Sequence, residues 1–181
     1  GVLKIYIDSK GEKNLKFKNL TVNVSSPKLE DIETNSGARF TVLNTLSGRN
    51  MNIEASSGSA IIGKFNASEA MNVSVDSGSN MKGDITTGNF VFKGTSGSSA
   101  SFEGSAKMGN LDISSGASCR AENFTVNTAN VQSTSGSSIS VNVKEKLTVD
   151  ASSGGSVRYK GNPDVFSNIA KSSGGSLKQI N

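Results

Sequence analysis

The chain has 181 residues, 34% of them apolar, with 20 glycines, one cysteine, no histidine and a formal net charge of +4. One cysteine excludes an intramolecular disulfide and a thiolate metal site, and the lack of histidine removes the Ser–His and Cys–His pairs of acyl transfer and the commonest zinc ligand. The 19 basic residues are scattered singly, without the runs or interleaved aromatics of a nucleic-acid surface, and no apolar stretch approaches the ~18 residues of a transmembrane segment.

An apolar share this low fits either disorder or a narrow core lined partly by small residues, and periodicity decides for the second. Residues 1–34 are the irregular part. Leu3, Ile5 and Ile7 alternate with Lys4, Tyr6 and Asp8, and Leu20, Val22 and Val24 alternate with Thr21, Asn23 and Ser25. Both stretches predict half-buried strands, joined by a loop at Lys10-Gly11-Glu12-Lys13-Asn14. Opening directly on a strand, with no visible signal peptide, creates the expectation that upstream residues, including any export segment, are missing.

From residue 35 to the end one figure returns: Asn35-Ser36-Gly37-Ala38, Ser56-Ser57-Gly58-Ser59, Asp76-Ser77-Gly78-Ser79, Thr95-Ser96-Gly97-Ser98, Ser114-Ser115-Gly116-Ala117, Thr134-Ser135-Gly136-Ser137, Ser152-Ser153-Gly154-Gly155 and Ser172-Ser173-Gly174-Gly175. Its glycines lie 21, 20, 19, 19, 20, 18 and 20 residues apart. A fixed period near 20 marks a solenoid, whose repeats bury their apolar faces only by stacking. The expectation is one all-β domain over 1–181, a right-handed, flattened parallel β-helix.

Counted from the serine before each glycine, the residue four positions earlier is Ile32, Ile53, Val73, Phe92, Leu111, Val131, Val149 or Ile169. Four positions later stand Phe40, Ile61, Met81, Ala100, Cys119, Ile139, Val157 and Leu177. Two ladders of apolar or small residues flanking one corner are what inward-facing strand positions produce. Cys119 is expected as a small buried hydrophobe. Ser36, Gly37, Ser57, Gly58, Ser77, Gly78, Ser96, Gly97, Ser115, Gly116, Ser135, Gly136, Ser153, Gly154, Ser173 and Gly174 are assigned as structural turn residues. Glycine supplies positive φ, and the polar residue before it hydrogen-bonds its own turn. Gly116→Val is therefore expected to be far more damaging than Gly109→Val.

A second bend is expected halfway round each coil, at Ser47-Gly48, Asn66-Ala67-Ser68, Thr87-Gly88, Lys144-Glu145-Lys146 and Gly161-Asn162-Pro163-Asp164, giving two strands of about five to seven residues per coil. The repeats, with Val24-Ser25-Ser26-Pro27-Lys28-Leu29-Glu30-Asp31-Ile32 leading into the first, resemble the autotransporter adhesin head GIN domains over nearly the whole chain. That resemblance implies a β-helix whose Ser-Gly motifs turn between two sheets, a bacterial cell-envelope location (cell surface, outer membrane or periplasm) and adhesion without known catalysis. It also implies a further strand-rich segment before the stretch Gly1-Val2-Leu3-Lys4-Ile5.

No catalytic, metal or cofactor residue is assigned. Glu30, Asp31 and Glu33 form the densest acidic group, but Asp31 and Glu33 flank the inward Ile32, as on a solvated strand. Asp84, Glu103, Glu122 and Lys144 follow the second strand of successive coils without forming a repeated acidic pair. The calcium-binding nonapeptide is absent, and Gly154-Gly155 lacks the helix a phosphate loop needs. The five Asn-x-Ser/Thr sequences, among them Asn123-Phe124-Thr125, are expected by chance in a chain of this composition. The favoured reading is a non-enzymatic adhesin-like module with no cofactor, a surface glycan or protein as ligand, and self-association. A scaffold polymerising through solenoid ends and a polysaccharide-cleaving β-helix enzyme stay open beside it.

Overall fold

The computed structural model describes residues 1–8, 10, 11, 16, 18, 20–169 and 173–181. Its regular elements are all strands: β1 (Asp31–Thr34), β2 (Arg39–Thr41), β3 (Leu46–Ala55), β4 (Ala60–Val75), β5 (Asn80–Gly94), β6 (Ser99–Ile113), β7 (Ser118–Ser133), β8 (Ser138–Ala151), β9 (Ser156–Lys160), β10 (Asp164–Asn168) and β11 (Ser176–Gln179). They pair in parallel in the order β1-β3-β4-β5-β6-β7-β8-β9-β11, with β2 on β4 and β10 on β8, and stack as a β-solenoid of about 8 turns.

Each corner has the same backbone. The serine lies at φ +50 to +54° from Ser36 to Ser153, and the glycine after it at +66 to +78° from Gly37 to Gly174. Two successive positive φ values define the central pair of a type I′ turn. The turn closes on its own backbone, as when Ser59 N–H donates to Ser56 C=O at 3.2 Å. It is also tied to the next coil. The glycine N–H donates to the following corner's serine C=O in seven successive pairs, from Gly37 to Ser57 (3.0 Å) through Gly154 to Ser173 (3.2 Å). The serine backbone therefore shares the left-handed conformation with glycine, which glycine tolerates far better than a residue with a Cβ. Ser172, in the last figure, lies outside the described residues, as do Glu12, Lys13 and Asn14 of the expected N-terminal loop.

The position after the glycine points inward. Ser59, Ser79, Ser98, Ala117 and Ser137 are all buried, Ser59 Oγ donates to Thr34 C=O at 2.9 Å, and Ser137 Oγ donates to Ile113 C=O at 3.0 Å. Ser79 Oγ is buried without a partner. At Gly155 and Gly175 not even a Cβ fits, since one would overlap the carbonyl oxygen of Ser133 or Ala151.

Both apolar ladders run through the interior. Ile32, Ile53, Val73, Phe92, Leu111, Val131 and Val149 lie opposite one another in sequence, all buried. Ile169 does not continue the column: Ser167 of β10 faces Val149, and Ile169 packs on the core only in part. The second ladder is in register for all eight members, Phe40 to Leu177, with the two end members only partly buried. Aromatic rings from neighbouring coils meet one another across this thin core. Phe102 stands edge-on to Phe90 and Phe92, at ring-centroid distances of 5.1 and 5.0 Å and 77° to each, and Phe124 meets Phe90 at 4.9 Å.

Three sequence expectations need correction. First, β4 to β8 are single ladders of 14 to 16 residues rather than two short strands per coil. The second bend falls inside these ladders: β5 and β6 pass it with no register shift, whereas β4 and β8 each carry one extra residue there, at Ser68-Glu69 and Lys144-Glu145. The coils at the two ends do divide, the one between Gly37 and Gly58 into β2 and β3 and the one after Gly154 into β9 and β10 around Gly161-Asn162-Pro163. Second, neither alternating stretch before Asp31 forms a strand. Val2, Leu3, Ile5, Tyr6 and Ile7 are 55–85% exposed, and Leu20, Val22 and Val24 are 49–59% exposed, because period-two alternation makes a strand only where a neighbour completes its ladder. Third, Gly109 is an inward position. A Cβ there would lie 3.2 Å from Val126 Cγ1 and 3.3 Å from Leu111 Cδ1, so Gly109→Val overpacks the core and is no benign control.

Leu111→Asp buries an unpaired charge and should cost more than about 3 kcal/mol in denaturant unfolding, whereas Asp112→Ala, next to it but facing solvent, should change stability by less than about 0.5 kcal/mol. At the corner, Gly116→Val forces a β-branched residue into φ +72° in open space and should cost about 1–3 kcal/mol, while Ser115→Gly at φ +52° should cost nothing. Cys119 lies buried between Ala100 and Ile139, and burial pushes its thiol pKa up. Its thiol should be silent toward a disulfide reagent at pH 8 until the protein unfolds, and then react in full.

Candidate functional site

The corner residues line one edge of the solenoid. From Ser36 to Gly154 their serine and glycine positions are exposed, one pair per coil, and the inter-coil hydrogen bonds occupy their backbone groups. Gly174 continues the row at φ +66°, and its neighbour Ser173 accepts the Gly154 N–H. This edge is a row of turns. The broad surfaces lie on either side of it, where alternate residues of every coil face outward and stack in register with their counterparts.

On the half-coil leading into the corner, one outward column reads Asp31, Asn52, Asn72, Val91, Asn110, Asn130, Thr148, and the next reads Glu33, Glu54, Ser74, Lys93, Asp112, Gln132, Asp150. Stacked asparagines can bond along the axis, as Asn130 Nδ2 does to Asn110 Oδ1 at 3.0 Å. Between these columns, around Val91, Asn110 and Gln132, lies an open, shallow depression. A second cleft separates Val2–Tyr6 from β1. On the half-coil leaving the corner, Ser99, Ser118, Ser138, Ser156 and Ser176 form a hydroxyl column. The sequence offsets that revealed the inward ladders also contain these columns, at odd rather than even distances from the corner serine, but they carry no apolar signal to mark them.

The carboxylates take the places the chain order dictates, with one addition. Asp31 and Glu33 flank the buried Ile32 as expected, and Glu30 pairs with Lys28 at 3.1 Å. Register, however, sets Glu33 opposite Glu54 and Asp84 opposite Glu103, neighbours that linear spacing conceals. Asp84 is held by Lys64 at 3.1 Å. A bulge in β7 sets Asn123 rather than Glu122 beside Glu103, which ends the acidic row. At the second bend Arg49 bonds Glu69 at 2.8 Å, and this hydrogen bond holds the Glu69 carboxyl below its usual range. The pair is exposed and contributes little to stability. The described residues contain no group of three or more His, Cys, Asp or Glu side chains placed to hold a metal ion, and no helix long and apolar enough to cross a membrane.

Comparison with known proteins agrees with this architecture. The chain matches a crystal structure of "a putative adhesin" from Parabacteroides merdae at a TM-score of 0.78 and 18% identity, over 84% of this chain and 64% of that one. It thus spans less than two thirds of that protein, and the likeness is one of fold. No curated protein matches the sequence. The profile of the family described as "Putative auto-transporter adhesin, head GIN domain" matches residues 1–163. With its Ser-Gly corners, parallel coils and nearly its whole length matched, this chain belongs to the head GIN domain family.

Proposed function

We propose that the chain is a non-catalytic, adhesin-like binding module of an exported bacterial protein, displayed at the cell surface, at the outer membrane or in the periplasm. The observation that carries this reading is the pair of broad faces on which each coil repeats the outward side chains of the last in register, offering many similar shallow contacts rather than one deep site. The family description and the fold of the Parabacteroides protein support it. The most constant residues of the repeat are accounted for by turn geometry, which leaves the faces as the variable and therefore ligand-reading part. A surface glycan or protein is the ligand class such faces suit. Clustering, through self-association or dense display, supplies the affinity that one copy lacks.

The experiment compares single and multimerised protein on immobilised envelope and host glycans while the same glycans are assayed for cleavage. Multimers should bind about 10²–10⁴ times more tightly than single copies, with no turnover. Turnover abolished by one Asp or Glu substitution would replace this reading with the enzyme.

A further inference from the structure

The half-coil leaving each corner carries a column that the linear sequence disperses. Lys82, Ser101, Arg120, Ser140, Arg158 and Lys178 lie opposite one another in that order, on β5, β6, β7, β8, β9 and β11. All four cations are exposed. Among the described residues none of them is in an ion pair, whereas Lys28, Arg49 and Lys64 each have a carboxylate partner. Serine separates Lys82 from Arg120 and Arg120 from Arg158, so these charges recur on every second strand, about 9.5 Å apart at the usual strand spacing. Ser140 is only 5% exposed although it faces outward, recessed between Arg120 and Arg158. The cations therefore stand above a floor of small side chains.

Charge around the column is unequal. From β8 to β11 this half-coil face adds Lys160 and meets no Asp or Glu before the second bend, where Glu145 stands, while Asp84, Glu103 and Glu122 sit toward the earlier coils, Asp84 already held by Lys64. The opposite face bears Glu33, Glu54, Asp112 and Asp150 in one column against the single Lys93. A flexible polyanion would be attracted to one side of the solenoid and repelled by the other. Beside the cations runs the column Ser99, Ser118, Ser138, Ser156, Ser176, which offers a hydroxyl on each of β6, β7, β8, β9 and β11.

We propose that this face binds a linear acidic polysaccharide laid along the solenoid axis, with Lys82, Arg120 and Arg158 meeting its carboxylate or sulfate groups and the serine column meeting its ring hydroxyls. The proposal rests on the adhesin-like reading and names its ligand. The cation spacing is on the scale of two linked sugar rings, and arginine pairs with carboxylate and sulfate through two parallel hydrogen bonds. Nucleic acid is disfavoured, because the exposed outward columns of this face contain no aromatic side chain on which a base could stack. An anionic lipid surface would want apolar side chains to insert beside the cations, and serines occupy those places.

The test uses the full chain, single and multimerised, on immobilised polygalacturonate and chondroitin sulfate, with neutral dextran, single-stranded DNA and phosphatidylserine vesicles as further arms. Arg120→Ser/Arg158→Ser should lose at least tenfold in affinity for both acidic polysaccharides, with an unchanged melting temperature because both side chains are exposed. Lys28→Ser/Lys93→Ser removes the same charge elsewhere and should change binding by less than twofold. Equal losses in the two double variants would overturn the proposal in favour of attraction by net charge. DNA or vesicles bound more tightly than the polysaccharides, with the same dependence on Arg120 and Arg158, would overturn the choice of ligand. If multimers bind dextran or another neutral glycan and the arginine variants bind as well, this inference fails while the adhesin-like reading stands. If multimers bind no glycan or protein surface at all, that reading fails too.

Discussion

Everything in this molecule depends on the hydrogen bond from each corner glycine N–H to the serine carbonyl of the next corner. It ties consecutive coils at one edge, so whatever lies between two corners must leave that edge and come back to it. The spacing between corner glycines nevertheless varies from 18 to 21 residues. The difference is absorbed by bulges, at Ala67–Ala70 and again at Ala121–Thr125, which take up extra residues while the ladders on either side stay in register. The corner is thus the fixed point, and the adjustment is made both at the second bend and in the half-coil that leads to it. Holding two consecutive residues at positive φ is costly for serine, and the closed turn and the inter-coil bond together over-determine that conformation.

The thinness of the coil sets the character of the core. Only side chains from the two halves of the same and adjacent coils can meet, so volume must be balanced locally. Phe90, Phe92, Phe102 and Phe124 cluster in the middle coils, where the same halves also contribute Gly83, Gly94, Gly104 and Gly109. The Phe92 ring takes the room beside Gly94 of its own coil, where a Cβ would lie 2.9 Å from the ring's Cζ. Such a core reaches full burial with a modest share of apolar residues, which reconciles a 34% apolar composition with a well-packed interior.

The outer faces follow from the same repetition. Once even offsets from the corner are committed to the core, odd offsets are free to carry whatever function requires, and stacking turns a scattered residue type into a continuous row. Net charge of +4 conceals a division into a face with an acidic column and a face with a basic one. A repetitive surface of this kind suits a repetitive ligand, because each added coil contributes another contact of the same type.

The fold class, the coil length, the corners and both inward ladders were legible in the sequence, since each rests on a local rule repeated eight times: a turn needing small residues, and period-two burial flanking it. Ile169 escaped the ladder because β10 follows a proline-containing break and slides by two residues. The N-terminal alternation misled because its periodicity describes a strand's two faces and says nothing about whether a partner exists. The expected break at the second bend is replaced in β4 to β8 by a continuous ladder, because whether a strand continues depends on pairing with the neighbouring coil. The contacts Glu33 with Glu54 and Asp84 with Glu103, and the alignment of Lys82, Arg120 and Arg158, exist only after register is set. Residues about 20 apart become neighbours through inter-coil pairing, and a slip of one or two positions at a bulge changes which of them meet.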